Sequence, residues 1–185
     1  MLDINLLHPL KTTRIAVRRM LRAQKKNPRK SPFALGLIVH ISSIGAQYNS
    51  IITPLYQASK HGVSSFIRGM APLEAMVGIR VVGVAPGTIG TPLFFDSEVA
   101  RTFIDPDKDF LLPPEEVARG MIALCEDPEK YPAGTVLEVA DLGENKWRKV
   151  ELLNDPGPQG RAKTVSNKDE QLKAIRAILE QDAEG

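Results

Sequence analysis

The sequence predicts an α/β fold built on a layered parallel sheet, and three observations predict it. Two short β-branched runs, GLIVHIS (36–42) and IRVVGVA (79–85), read as parallel strands buried on both faces. Each follows a stretch with helical apolar spacing, so helix, strand, helix and strand alternate along the chain. With 185 residues and 43% hydrophobic content, the chain can form one core of ordinary size plus a tail.

The first predicted helix runs from Asp3 to Lys26, where Leu6, Leu10, Val17 and Leu21 recur at helical spacing. Nine Lys and Arg residues lie between Lys11 and Lys30, and they fall mainly on the opposite, solvated face. No aromatic residues are interleaved to stack on bases, so the stretch reads as a surface helix rather than a nucleic-acid patch. The imbalance is local: residues 1–73 carry eleven Lys/Arg against Asp3 alone, yet the whole chain is only +2, so the remainder is net acidic. Asn27-Pro28 and Ser31-Pro32 break the helix in a polar connection. The strand at 36–42 then ends near Ser43, in the turn Ser42-Ser43-Ile44-Gly45.

After a loop to Pro54, Val63, Phe66, Ile67 and Met70 sit at helical spacing between Tyr56 and Met76, and Gly78 is placed to end that helix. The strand IRVVGVA follows. PGTIGTP (86–92) is a loop, since two prolines and two glycines punctuate it. The stretch from Phe95 to Phe110 lacks firm periodicity and reads as a mobile excursion over the sheet, with Phe94, Phe95, Phe103 and Ile104 as an apolar lid. Pro113-Pro114-Glu115-Glu116 opens the next helix, with Val117, Met121 and Leu124 on one face. TVLEVA (135–140) is the last strand. NDPGPQG (154–160) reads as a linker, and 166–181 as an amphipathic helix, with Leu172, Ile175 and Leu179 on one side, that docks either on the body or on a partner. These elements divide the chain into a body at 1–150 and a tail at 151–185.

Several function classes drop away. Cys125 stands alone and cannot form an intrachain disulfide; on an apolar helix face it reads as core packing. The opening MLDINLLHPLK is too short and too mixed for a signal-peptide core. No apolar run reaches the eighteen or so residues of a membrane helix. A soluble cytoplasmic protein is the expectation. His8, His40 and His61 have no metal-ligand spacing, so no metal site is expected. Gly83, Gly87 and Gly90 do not form a dinucleotide loop, because a proline lies among them and no acidic ribose partner follows.

Ligands of open parallel sheets bind at the carboxyl ends of the strands. Ser43 lies at one such end, Tyr56 and Lys60 open the next helix, and the PGTIGT loop follows the next strand. Tyr56 and Lys60 are i, i+4 neighbours on one helix face. A free phenol is a poor base at neutral pH, but an ammonium beside it favours the phenolate and makes Tyr56 usable as a general acid and base. Ser43 can fix a substrate oxygen beside it by hydrogen bonding. An isolated Y-x-x-x-K occurs readily by chance; the company it keeps here gives it weight.

Ser43 precedes Tyr56 by thirteen residues, the Y-Q-A-S-K-H-G context is intact, and Pro86-Gly87-Thr88-Ile89-Gly90-Thr91 follows a strand. This combination resembles the short-chain dehydrogenase/reductase family through its S-x12-Y-x-A-S-K-x-G and P-G-x-[IV]-x-T signatures, over residues 3 to about 142. YQASKHG and the early D-I-N-L are most similar to the 15-hydroxyprostaglandin dehydrogenase branch. The resemblance implies a partial Rossmann-like, doubly wound parallel sheet and an NAD- or NADP-dependent oxidoreductase acting on a small-molecule secondary alcohol or ketone. It implies that Ser43 positions the substrate oxygen, that Tyr56 transfers the proton, and that Lys60 favours the phenolate and binds the nicotinamide ribose. Pro86, Gly87, the Ile89 backbone and the Thr91 side chain would hold the nicotinamide carboxamide. It also implies a homo-oligomer paired through the helices at 3–26 and 56–76.

Family members add an asparagine in the helix before the serine strand, whose backbone carbonyl anchors a water leading to the lysine; Asn5 matches it. Pro9 lacks the N–H that would bond the Asn5 carbonyl, in keeping with that role. The alternative is that Asn5 merely caps the helix. One family feature has no counterpart: the G-x-x-x-G-x-G turn that receives the pyrophosphate at a helix N-terminus. Two explanations compete, an N-terminally incomplete form of a longer enzyme and a genuinely short product. The apolar strands, which need neighbours to bury them, favour the first. Little or no activity is expected from such a chain alone, and a non-catalytic module pairing with full-length relatives is the alternative.

Overall fold

The computed structural model describes residues 1–26, 36–96, 98, 108–141, 147–151 and 168–184. Its centre is a four-stranded sheet in the order β1 (Gly36–Ile41), β2 (Ile79–Pro86), β3 (Val136–Val139) and β4 (Arg148–Lys149). β1, β2 and β3 are mutually parallel, and β4 runs antiparallel to β3. The helices are α1 (His8–Lys26), α2 (Pro54–Gly69), α3 (Pro72–Val77), the short α4 (Pro92–Phe95), α5 (Pro114–Glu126) and α6 (Lys168–Glu184).

All eight residues of β2 are buried, and their side chains alternate between two helical layers. Val82 and Val84 meet Val117 and Leu124 of α5, together with Leu137 and Val139 of β3. On the other face Ile79 and Val81 meet Val17 and Leu21 of α1 and Leu73 of α3. Ala85 and Val136 pack against Val63 and Ile67 of α2. Each such side chain contributes about 1.5–3 kcal/mol by leaving water. Helices on both faces of a mostly parallel sheet are the layered α/β architecture read from the sequence.

Most elements fall where the periodicity placed them, and the departures have physical causes. The helix expected from Asp3 opens as a π-helical turn over Asp3–Leu7, in which His8 N–H bonds to Asp3 O, before α1 proper. The missing Pro9 N–H is the local reason for a shifted ladder. The single helix expected over 56–76 is two: Pro72 cannot continue the ladder and instead opens α3. Gly78 ends it as expected, in the left-handed conformation at φ 70°.

β1, expected to be covered on both faces, is only half-buried along most of its length, with Ile41 54% exposed. Among the described residues β2 is its one neighbour. β4 was not anticipated, because two residues carry no periodicity. Cys125, expected in the core, is exposed: the buried stripe of α5 is Val117, Gly120 and Leu124, and Cys125 lies one helical step off it. The polar connection at 27–35, Phe103 and Ile104 of the expected lid, and the linker at 154–160 lie outside the described residues. α6 packs on α1, so the tail helix docks on the body.

Candidate functional site

The parallel register sets the level of the site. Ile41 pairs with Val84, and Ser42 N–H donates to Val84 O at 2.7 Å. Ser43 and Pro86, each two residues further along, therefore leave the sheet at the same carboxyl edge. Ser43 is 9% exposed, and its Oγ accepts the Gly45 N–H at 3.0 Å as the cap of a 3-10 turn over Ile44–Ala46. With that lone pair engaged, its own O–H remains to donate into the site.

α2 begins with Pro54 at its first position, so its third residue, Tyr56, stands at the mouth of the same edge. A methyl group built on Gly45 meets Tyr56 Cε1 at 3.2 Å and Ser43 Oγ at 3.4 Å, so ring and hydroxyl border one spot beside this glycine. One turn later Lys60 reaches back, with Nζ donating to Ile41 O at 3.0 Å and lying 5.7 Å from the Tyr56 ring centroid. Burial holds the Lys60 ammonium below the usual lysine range. The end of β1 and the start of α2 thus bring Ser43, Tyr56 and Lys60 near one another.

Asn5 is linked one step away. Its Nδ2 donates to Ser59 Oγ at a long 3.4 Å, and Ser59 Oγ donates to Tyr56 O at 2.6 Å. The Asn5 side chain is therefore tied to the turn of α2 that carries Tyr56, and it is no helix cap: the residue sits inside the π turn.

The loop after β2 completes the edge. Gly87 N–H donates to Val139 O at 2.9 Å, and a methyl group there would meet Ala140 Cβ at 3.4 Å, so the turn lies close against the end of β3. Ile89 forms a parallel bridge to Leu112. That bridge uses Thr88 O, which accepts from Leu112 N at 2.8 Å, and Gly90 N–H, which donates to Leu112 O at 3.0 Å. The alternation of a parallel ladder turns the N–H and C=O of Ile89 away from Leu112. Thr91 precedes α4 and makes no capping bond with its hydroxyl. The donor set of the Ile89 backbone and the Thr91 hydroxyl fits a primary carboxamide such as that of nicotinamide, which both donates and accepts.

Four further residues escaped the sequence reading. Ser42 is 2% exposed and Ser64 3%. Ser42 Oγ lies 2.7 Å from Ser64 Oγ and donates to Lys60 O at 3.2 Å, which locks the rotation of α2 against the end of β1. The Ser42-Ser43 doublet, with Ser64 four residues past Lys60, was the available signal. Ser59 lay within the motif without an assigned role, and Gly45 was read only as a turn. Among the described residues no three His, Cys, Asp or Glu side chains cluster as metal ligands, and no helix is long and apolar enough to cross a membrane.

Comparison with known proteins adds the following. Residues 1–100 match the family model for short chain dehydrogenases. Carbonyl reductase family member 4 of Xenopus tropicalis is 35% identical over 140 residues, which cover 75% of this chain and 54% of that protein. The 15-hydroxyprostaglandin dehydrogenase [NAD(+)] of Bos taurus is 30% identical over 105 residues, 50% of this chain and 40% of that one. The crystal structure of 3-hydroxyacyl-CoA dehydrogenase type-2 from Mycobacterium avium superposes with a TM-score of 0.61 at 25% identity, covering 78% of this chain and 55% of that one. The chain spans about half the length of these first curated relatives.

Proposed function

The chain belongs to the short-chain dehydrogenase family, and from that premise we propose that its site interconverts a secondary alcohol and a ketone, with bound NAD or NADP accepting or supplying the hydride. The observation that carries this reading is the convergence of Ser43 Oγ and the Tyr56 ring on the open spot beside Gly45, with Lys60 Nζ 5.7 Å from that ring. Ser43, its acceptor face held by Gly45 N–H, donates to the substrate oxygen and fixes it. Tyr56 gives that oxygen a proton in reduction and takes it back in oxidation. Lys60, anchored on Ile41 O, places a positive charge beside the Tyr56 ring. Asn5, through Ser59, holds the first turn of α2 in place. Pro86 and Gly87 shape the loop, while Ile89 and Thr91 offer the carboxamide its hydrogen bonds.

The sequence contains no G-x-x-x-G-x-G, and these 185 residues by themselves are proposed to hold the cofactor weakly and to turn over slowly. The same reading includes self-pairing through the helices at 3–26 and 56–76, supported by exposed Leu7 of the π turn and exposed Ile15 of α1, and a cytoplasmic setting.

Binding is tested first. Titrating NADH, and separately NADPH, into labelled protein should shift the amide resonances of Ile89 and Thr91, and Thr91→Val should weaken both titrations. Residual ketone reduction should fall at least about 100-fold in Tyr56→Phe. Titrations with both cofactors to about millimolar concentration that leave Ile89 and Thr91 unmoved sink the reading.

A further inference from the structure

α6 lies along α1. Arg18 Nε is 3.0 Å from Asp182 Oδ1, an ion pair without hydrogen-bond alignment, and Arg22 Nε donates to Asp182 O at 3.2 Å. Leu179 and Ala183 join the cluster around Val17 and Leu21. Ile175, 46% exposed, borders a cavity beneath α6, and Ile178 is 55% exposed. The cavity, of about 310 Å³, stays open between α1, the end of α2 and α3, walled by Leu10, Val17, Phe66, Met70, Leu73 and Met76. α6 roofs this cavity without filling it.

The seat continues beyond the cover. Leu7, Lys11, Ile15, Arg18 and Arg22 follow one another at spacings of three and four, so they form one strip along α1. α6 takes its Arg18–Arg22 end, while Leu7 (42% exposed) and Ile15 (51% exposed) remain bare at the other. A ridge bearing Leu7 and Ile15, with Lys11 between them, and an apolar groove thus lie side by side on one surface. Two-fold pairing sets the ridge of each copy into the groove of the other, the self-complementary arrangement of an isologous dimer.

We propose that α6 and a second copy of this chain compete for this surface, so that docking of the tail helix holds the chain single and its release lets two copies pair through α1, α2 and α3. The inference rests on the self-pairing reading above and adds the tail as its internal competitor. Charge gives it a direction. α1 carries seven Lys and Arg and no acid, so two α1 faces repel, whereas Asp182 of α6 is attracted to Arg18. Salt weakens that attraction and screens that repulsion together, so pairing should strengthen as ionic strength rises.

The test is sedimentation velocity on the full chain in low and high salt, with circular dichroism to check that each variant stays folded. Asp182→Lys should release α6 and lower the dissociation constant of the pair (Kd) roughly 5-fold, the scale of losing one exposed ion pair. The charge swap Arg18→Asp with Asp182→Arg should restore the wild-type value. In a Cys125→Ser background, Arg18→Cys and Asp182→Cys joined by a short bismaleimide should stay at 20.3 kDa under conditions where the unlinked protein pairs. A linked chain that pairs as readily as the unlinked one overturns the competition and leaves the pairing reading intact. A folded Asp182→Lys chain that remains single at every concentration and salt overturns the pairing reading, and the competition with it.

Discussion

Replacing Arg80 by methionine tests how the strand that carries the PGTIGT loop is tied to the helix behind it. Arg80 is 3% exposed at the start of β2 and faces α5. Nη1 donates to Tyr131 O at 2.7 Å, and Nη2 donates to Leu124 O at 2.7 Å and Cys125 O at 3.2 Å, at the carboxyl end of α5. Methionine replaces the aliphatic stem but donates nothing. The carbonyls of buried Leu124 and Tyr131 are then orphaned, while that of exposed Cys125 turns to water. Each buried orphan costs about 1–3 kcal/mol, so the pair costs about 2–6 kcal/mol. Relief from burying a guanidinium whose Nε has no partner offsets part of this. A net loss of about 2–4 kcal/mol follows, and Tm falls by about 5–15 °C for a chain of this size. Urea unfolding followed by circular dichroism reads the difference. Arg80→Lys should recover little, because one ammonium cannot span the two acceptors that the guanidinium fork reaches. A methionine variant within about 0.5 kcal/mol of wild type, or a lysine variant equal to it, would refute the reasoning.

Three further perturbations probe the packing, the titration and the site. Gly83→Ala places a methyl 2.4 Å from Ile67 Cδ1 and 3.0 Å from His40 O, and should cost about 1–3 kcal/mol in thermal melts; adding Ile67→Val should return part of it, since the backbone oxygen stays close. His40 is 6% exposed, bonds Thr13 Oγ1 at 2.9 Å, and is held below its usual 6.5 by burial. The unfolded chain therefore binds a proton near pH 6.5 that the folded chain refuses, so stability falls on acidification below that pH by at most about 1.4 kcal/mol per pH unit. Comparing wild type with His40→Gln at pH 7 and pH 5 checks this, and an unchanged slope in the variant counts against it. Gly45→Val should displace the Tyr56 ring and reduce any ketone reduction at least about 10-fold with little change in Tm, whereas Gly45→Ala should be nearly neutral; equal activity in all three proteins removes Gly45 from the site.

The parts of the site legible in the sequence are those whose geometry is local. Tyr56 and Lys60 share a face because a helix repeats every 3.6 residues, and Gly78 ends α3 because it alone takes φ 70° at no steric cost. The strands at 36–42 and 79–85 announced themselves by β-branched runs. The π-helical start of the first helix departs from that reading, yet its cause is local as well: the missing N–H of Pro9 acts on its own ladder. The level at which Ser43 meets the PGTIGT loop needed only the assumption that both strands run parallel.

What tertiary structure decided are the contacts between residues far apart in the chain, where no period links the partners. Arg80 stands in an apolar run, and its carbonyl acceptors lie 44 to 51 residues away. Ser42 and Ser64 look like ordinary small residues until β1 and α2 are laid together. The half-covered state of β1, the exposure of Cys125 and the seating of α6 on α1 depend on which neighbour covers each face. An amphipathic pattern states that a face must be covered; the packing of the whole chain selects what covers it. The sequence by itself thus determined the elements and the helix face that Tyr56 and Lys60 share, while the lock on α2, the anchor of β2 and the cover on α1 came only from the assembled layers, because burial and long-range hydrogen bonds are properties of the packed chain.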